Sequence, residues 1–180
     1  MSSSLGIILI LGAGLLRAAA QDALPEKQVK AAFLVNFPKY VEWPAETFPQ
    51  TNSPIVLVVI GDSDAIEPLA KMIQGRTYSG RSMVLKRVAA DEAAPQGCHI
   101  VFISDSERRR LPALLAKFAG QSVLTVGESE QFLEKGGIIS LARRDQKIRL
   151  DINLEGARAV RLQISSKLLG VADFVKGKPH

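Results

Sequence analysis

Apolar positions along this 180-residue chain follow three rhythms, and each predicts a different kind of element. The first is an uninterrupted run, "LGIILILGAGLL" at residues 5–16, followed by Arg17 and Ala18-Ala19-Ala20. It is shorter than the roughly 20 apolar residues that span a bilayer. Its length and Ala-x-Ala ending predict an export signal cleaved after Ala20. The "GAG" at 12–14 belongs to that signal and is not a nucleotide loop. Residues 1–20 are read as a leader and 21–180 as one domain, long enough for a single sizeable core.

The second rhythm is helical. Pro25 and Glu26 suit a first turn, where a missing N–H costs nothing and an acid meets the positive end of the dipole. Val29, Phe33, Phe37 and Tyr40 then recur as one apolar face. Pro38 predicts either a kink or a break with Asn36 capping a second short helix. Trp43-Pro44 ends the element. Further helices are expected over about 64–74, in "ERRRLPALLAKF" (107–118) and in "SEQFLEKGG", which stops on a glycine. The tail, "LEGARAVRLQISSKLLGVADFV", reads as a helix, a short extended "LQI" and a last helix capped by Ser165 or Ser166.

The third rhythm belongs to strands. "IVLVVIG" (55–61) and "HIVFIS" (99–104) are continuous and β-branched, as in strands covered on both faces. "SMVLKRVA" (82–89) alternates, "SVLTVG" (122–127) is a further strand, and "IISLA" with "KIRLDIN" forms a hairpin around "RRDQ". Strands alternating with helices predict a single-domain α/β sandwich. Its sheet is largely parallel but mixed, flanked by helices, with a C-terminal hairpin.

Charge narrows the partners. The net charge of +5 falls to +4 once Arg17 leaves with the signal. The basic residues at 108–110, 143, 144, 147, 149, 158 and 161 are scattered, without a stripe of interleaved aromatics. Nucleic acid is therefore not expected, and outside the cytoplasm an anionic membrane surface or an acidic protein is favoured. Cys98 is the single cysteine, so no intrachain disulfide forms, and a buried, inert thiol is expected. With only His99 and His180 besides it, no metal and no cofactor are predicted. There is no Gly-x-Ser-x-Gly elbow and no His-Glu-x-x-His, and "SSK" at 165–167 lacks Ser-x-x-Lys spacing. A serine triad would need His99, which begins a buried strand. No enzyme is predicted.

Two candidate sites remain. "AAFLVNFPKYVEWPAETF" (31–48) holds five of the ten aromatic residues. One helical stripe accommodates Phe33 and Phe37, which are expected inside. Trp43 and Phe48 lie past the helix end and either fold back on the domain edge or stay as interface anchors. Tyr40, Glu42 and Trp43 are the candidate partner-contact residues. The second site gathers three similar strand-to-helix loops, "GDSD" (61–64), "SDSE" (104–107) and "GESE" (127–130). Their Asp62, Ser63, Ser104, Asp105 and Glu128 either cap helices or line a ligand pocket at the strand ends. Acids there would repel phosphate and favour a hydroxylated or cationic molecule.

Four stretches, "VKAAFLVNFPKYVEWP", "CHIVFIS", "LTVGESEQFLEKGGIISL" and "IRLDINLEGARAVRLQISSKLLGVA", together resemble the YfiR-type periplasmic repressors over about residues 27–173. The resemblance implies export to the periplasm, an α/β sandwich and no catalysis. It implies a protein that binds the periplasmic sensor domain of an inner-membrane diguanylate cyclase, or of a sensor kinase. Binding holds that partner inactive and lowers cyclic di-GMP and biofilm output. Self-association as a homodimer is also implied. Two features depart from the pattern. Several members carry disulfides, whereas Cys98 here has no mate in the "IVLVVIG" strand near Val58 or Val59, which excludes redox control by an intrachain bridge. Pro38 replaces an ordinary helix residue. The tail also resembles the end of a half-domain of ABC-type periplasmic binding proteins. The alternative function is a small-molecule-binding module built on the three loops.

Overall fold

The structure, a computed structural model, describes residues 25–177; the leader assigned to residues 1–20, and His180, lie outside the described residues. Its centre is β2 (Ile55–Ile60), every residue of which is buried. Alternation sends Leu57 and Val59 into one core layer and Val56, Val58 and Ile60 into the other. β5 (Ile100–Ile103) and β6 (Leu124–Gly127) are buried in the same way and lie parallel to it in the order β2, β5, β6. β4 (Arg81–Val88) pairs in parallel on the other side of β2. The hairpin of β7 (Ile139–Arg144) and β8 (Lys147–Asn153) extends the far side, antiparallel to itself. Its turn is two residues, Asp145 and Gln146, with φ of 50° and 60°, the left-handed pair that matches the strands' twist.

Two short strands complete the sheet. β3 (Thr77–Tyr78) borders β4, and β10 (Phe174–Lys176) borders β8, so the eight-strand order is β10-β8-β7-β6-β5-β2-β4-β3. A separate ribbon joins β1 (Val41–Glu42) to β9 (Gln163–Ile164). Helices cover both faces. α1 (Glu26–Asn36), α2 (Ile66–Met72), α4 (Leu154–Ala159) and α5 (Ser166–Gly170) send Leu34, Leu69, Ala157 and Leu168 into one layer. α3 (Leu111–Ala116) packs Leu111 and Leu114 into the other. The mixed, largely parallel α/β sandwich with its hairpin is the architecture the strand and helix alternation predicts.

Several local expectations are corrected. Asn36 does not cap a second helix: its Nδ2 donates back to the Ala32 carbonyl at 2.7 Å, while the break at Pro38 becomes a 3₁₀ turn over Phe37–Lys39. "SEQFLEKGG" forms turns rather than a helix. The reason is Phe132, which is 1% exposed and lies between two glycines. A Cβ on Gly127 or on Gly137 would stand 2.1 Å from its ring, so the chain wraps the aromatic tightly instead of coiling. The tail ends in β10, not in helix, with Ser165 capping α5 by accepting from Lys167 N at 3.2 Å.

Candidate functional site

Reversal of strand order between β2 and β5 creates the crevice where doubly wound sheets hold ligands, beyond the carboxyl ends of the strands. The three acidic loops meet there, and the Glu128 carboxylate is their common point. Oε1 accepts from Lys30 Nζ at 2.9 Å and from Ser63 Oγ at 3.0 Å. Oε2 accepts from the Asp105 N–H at 3.1 Å and stands 3.3 Å from Ser104 Oγ. The Ser104 hydroxyl also reaches the Asp62 carbonyl, so its one proton serves one acceptor at a time, and its oxygen accepts from Ser106 N. Ser106 Oγ accepts from the Asp62 N–H at 3.0 Å.

These bonds tie the loops to one another, and open pockets of about 410 and 580 Å³ lie beside them, the first bordered by Gly61 and Asp62 and the second by Asp62 and Ser63. Gly61, with φ of +87°, passes so close that an added Cβ would lie 2.5 Å from Ser106 Oγ. The Lys30 and Glu128 side chains are 14% and 9% exposed, so this ion pair is largely removed from water. Ser63, Ser104, Asp105 and Glu128 are thus brought together and bonded to one another. The Asp62 carboxylate instead points outward, 92% exposed and 3.1 Å from Arg87.

The aromatic segment divides differently from the expected single stripe. α1 buries Ala31, Leu34 and Val35, and Phe37 beyond it is 1% exposed. Phe33, expected inside, is half-buried and stacks on Phe37 with ring centroids 6.3 Å apart. α1 is therefore apolar on two sides. The second side borders a groove of about 580 Å³ lined by Val29, Ala32, Phe33, Asn36, Phe37 and Tyr40, and by Lys167, Leu168 and Val171 of the α5 segment. Tyr40 is held at one end of it, its carbonyl accepting from Ser165 N at 2.8 Å. Glu42 is exposed on β1. Val171 and Phe174, 66% and 54% exposed, continue the apolar surface along the chain.

Trp43 and Phe48 fold back on the domain edge. Trp43 Nε1 donates to the His99 carbonyl at 3.0 Å, and its ring meets the imidazole edge-on. Phe48 stacks on His99 at 4.4 Å, with the Arg81 guanidinium 3.8 Å from the Phe48 ring centroid on β4's side of the stack. His99 Nδ1 accepts from the Val56 N–H at 3.1 Å, which leaves the proton on Nε2, a buried atom without a partner among the described residues. Burial pushes the imidazole down to about 4, so it is neutral at pH 7. The Cys98 thiol is buried and pushed up to about 12, chiefly by desolvation, in keeping with an inert role. Neither side chain is placed to act on a molecule in the groove or the crevice.

The sheet order and covering helices define a doubly wound α/β domain, and solved structures share that fold. One is the ABC domain in complex with L-Trp from Streptococcus pneumonia, with a TM-score of 0.54 and 11% identity. The alignment covers 83% of the present chain and 60% of the other, and at that identity the likeness is one of fold. No curated protein matches the sequence significantly. The chain belongs to the YfiR/HmsC-like family, whose model matches residues 27–173. Members of this family are regulators and not enzymes. Among the described residues no helix is long and apolar enough to cross a membrane.

Proposed function

We propose that this protein is exported to the periplasm, with its signal removed after Ala20 to leave 21–180 as one regulatory domain. There it binds the periplasmic sensor domain of an inner-membrane diguanylate cyclase or sensor kinase and holds it inactive. The consequence is less cyclic di-GMP and less biofilm. The observation that carries this reading is the solvent-facing second apolar side of α1, on a chain whose family consists of regulators. Helices of a monomeric domain ordinarily face water with polar residues, and apolar grooves of this kind mark contact sites. Tyr40 at the groove's end and Glu42 on the adjoining strand form the accessible part of the contact. Trp43 supports it from beneath through its bond to His99. A homodimer is compatible with the same surface.

Calorimetry of the purified protein against the periplasmic domain of the membrane cyclase or kinase encoded beside it tests the proposal. Saturable binding that weakens in Tyr40→Ala is expected. Absence of binding between well-folded components would remove the repressor role. Convergence of three loops at the sheet's switch point favours a second reading, a small-ligand site using Asp62, Ser63, Ser104, Asp105 and Glu128. It requires thermal stabilisation by a hydroxylated or cationic metabolite, lost on changing Asp62 or Glu128.

A further inference from the structure

The groove between α1 and α5 is chemically two-ended. Along α1 its wall is Val29, Ala32, Phe33 and Phe37, and across it stand Leu168 and Val171. The polar groups lie toward the end of α1. There the bond from Ser165 N to the Tyr40 carbonyl brings the start of α5 against Tyr40, and Lys167 follows two residues later. Lys167 is the one charged residue in the lining among the described residues. Asn36 spends one of its two amide N–H donors on the Ala32 carbonyl, so the lining residues bring to this end its second N–H, the Lys167 ammonium and the Tyr40 hydroxyl. Three donor groups, one of them cationic, at the head of an apolar trough call for an anionic acceptor on an apolar body.

We infer that this groove binds a single-chain anionic amphiphile, its carboxylate at Lys167 and Tyr40 and its hydrocarbon chain running along Phe33 toward Val29. A volume of about 580 Å³ lies within the size range of small-ligand pockets, roughly 300–1,000 Å³. A cationic head would be repelled by Lys167, and a neutral alcohol would forgo the charge-assisted bond. Because Tyr40 also belongs to the proposed partner surface, such a ligand competes with the partner. That regulatory consequence rests on the repressor reading; ligand binding itself does not.

Dodecanoate, kept below its micellar concentration, is the probe. Calorimetry with the purified protein should give saturable one-to-one binding. Dodecyltrimethylammonium and dodecanol should bind at least about tenfold more weakly, and Lys167→Gln should weaken dodecanoate by about tenfold. Phe33→Asp, at a half-buried position, should abolish binding, with circular dichroism confirming that both variants are folded. No binding of dodecanoate, equal binding of the cationic analogue, or unchanged affinity in both variants would overturn the inference. Association with phosphatidylglycerol vesicles but not with monomeric dodecanoate would overturn it as well, in favour of a membrane surface. The partner titration, run separately, distinguishes failure here from failure of the repressor role. Loss of dodecanoate binding with an intact partner complex sinks only the ligand site, and dodecanoate displacing the partner joins the two.

Discussion

The crevice at the strand ends and the groove on α1 are opposites. The crevice is polar and cross-tied: Glu128 receives Lys30, Ser63 and Asp105, and the loops carry their partners with them. The groove is apolar and left open, with Phe33 and Tyr40 half-covered. In a fold whose ligands usually enter at the switch point, this chain has turned that place into a fastening. Its unsatisfied surface lies instead on the outside of a helix. A polar cluster whose groups all have partners stabilises the fold, whereas an apolar surface without a partner is a contact waiting to form.

That contrast can be broken most sharply at Glu128. Glu128→Ala leaves the largely buried Lys30 ammonium without its partner, and a loss of about 3–5 kcal/mol in urea denaturation is expected. A loss below about 1 kcal/mol would mean that the loops hold without the carboxylate and that the crevice is free for a ligand. Acid is the next test. His99 is lowered to about 4 in the folded protein, so between that value and its ordinary 6.5 the unfolded chain binds the extra proton. Stability is full above about pH 6.5 and falls by up to about 3 kcal/mol as the pH drops to 4, with no further contribution below. Denaturation at pH 7 and pH 4 measures the drop, and a His99→Leu variant should flatten it.

Trp43→Ala removes a half-buried ring and its bond to the His99 carbonyl, with an expected loss of about 2 kcal/mol. Trp43→Phe, keeping most of the packing, should lose about 1 kcal/mol. Melting curves separate the two. The smallest effect on stability belongs to the groove: Phe33→Ser and Tyr40→Ala should each change it by less than about 1 kcal/mol. Their partner affinity should nevertheless fall tenfold or more in calorimetry. If the groove variants unfolded as readily as Glu128→Ala, the two regions would not differ in kind.

The strands were legible because β2 and β5 are buried on both faces, and unbroken β-branched runs have few other uses. α1 was legible as a helix but not in its orientation. Val29, Phe33 and Phe37 make a convincing core stripe, yet Ala31, Leu34 and Val35 make another, and only the sheet decides which turns inward. Phe37 is inside as expected, and aromatic size misled only for Phe33. Residues 129–137 carry helical start and stop signals, but the fit of Phe132 between Gly127 and Gly137 overrides them. β1 and β10 are too short to leave a periodic trace, whereas β9 falls in the extended "LQI". Of the candidate site, the three loops were visible through their shared Ser and acidic residues. Lys30, the cation that joins them, lies 98 residues from Glu128 and carried no local sign of its role.

That separation bears on timing. A chain that emerges amino-end first, from a ribosome or a translocation channel, delivers α1 long before Glu128. Until then Lys30 must stay hydrated, and the helix cannot settle in its final place without stranding a charge. Though made early, α1 is therefore among the last parts to be fixed. During that interval its two apolar sides are equally available to whatever holds nascent chains in solution.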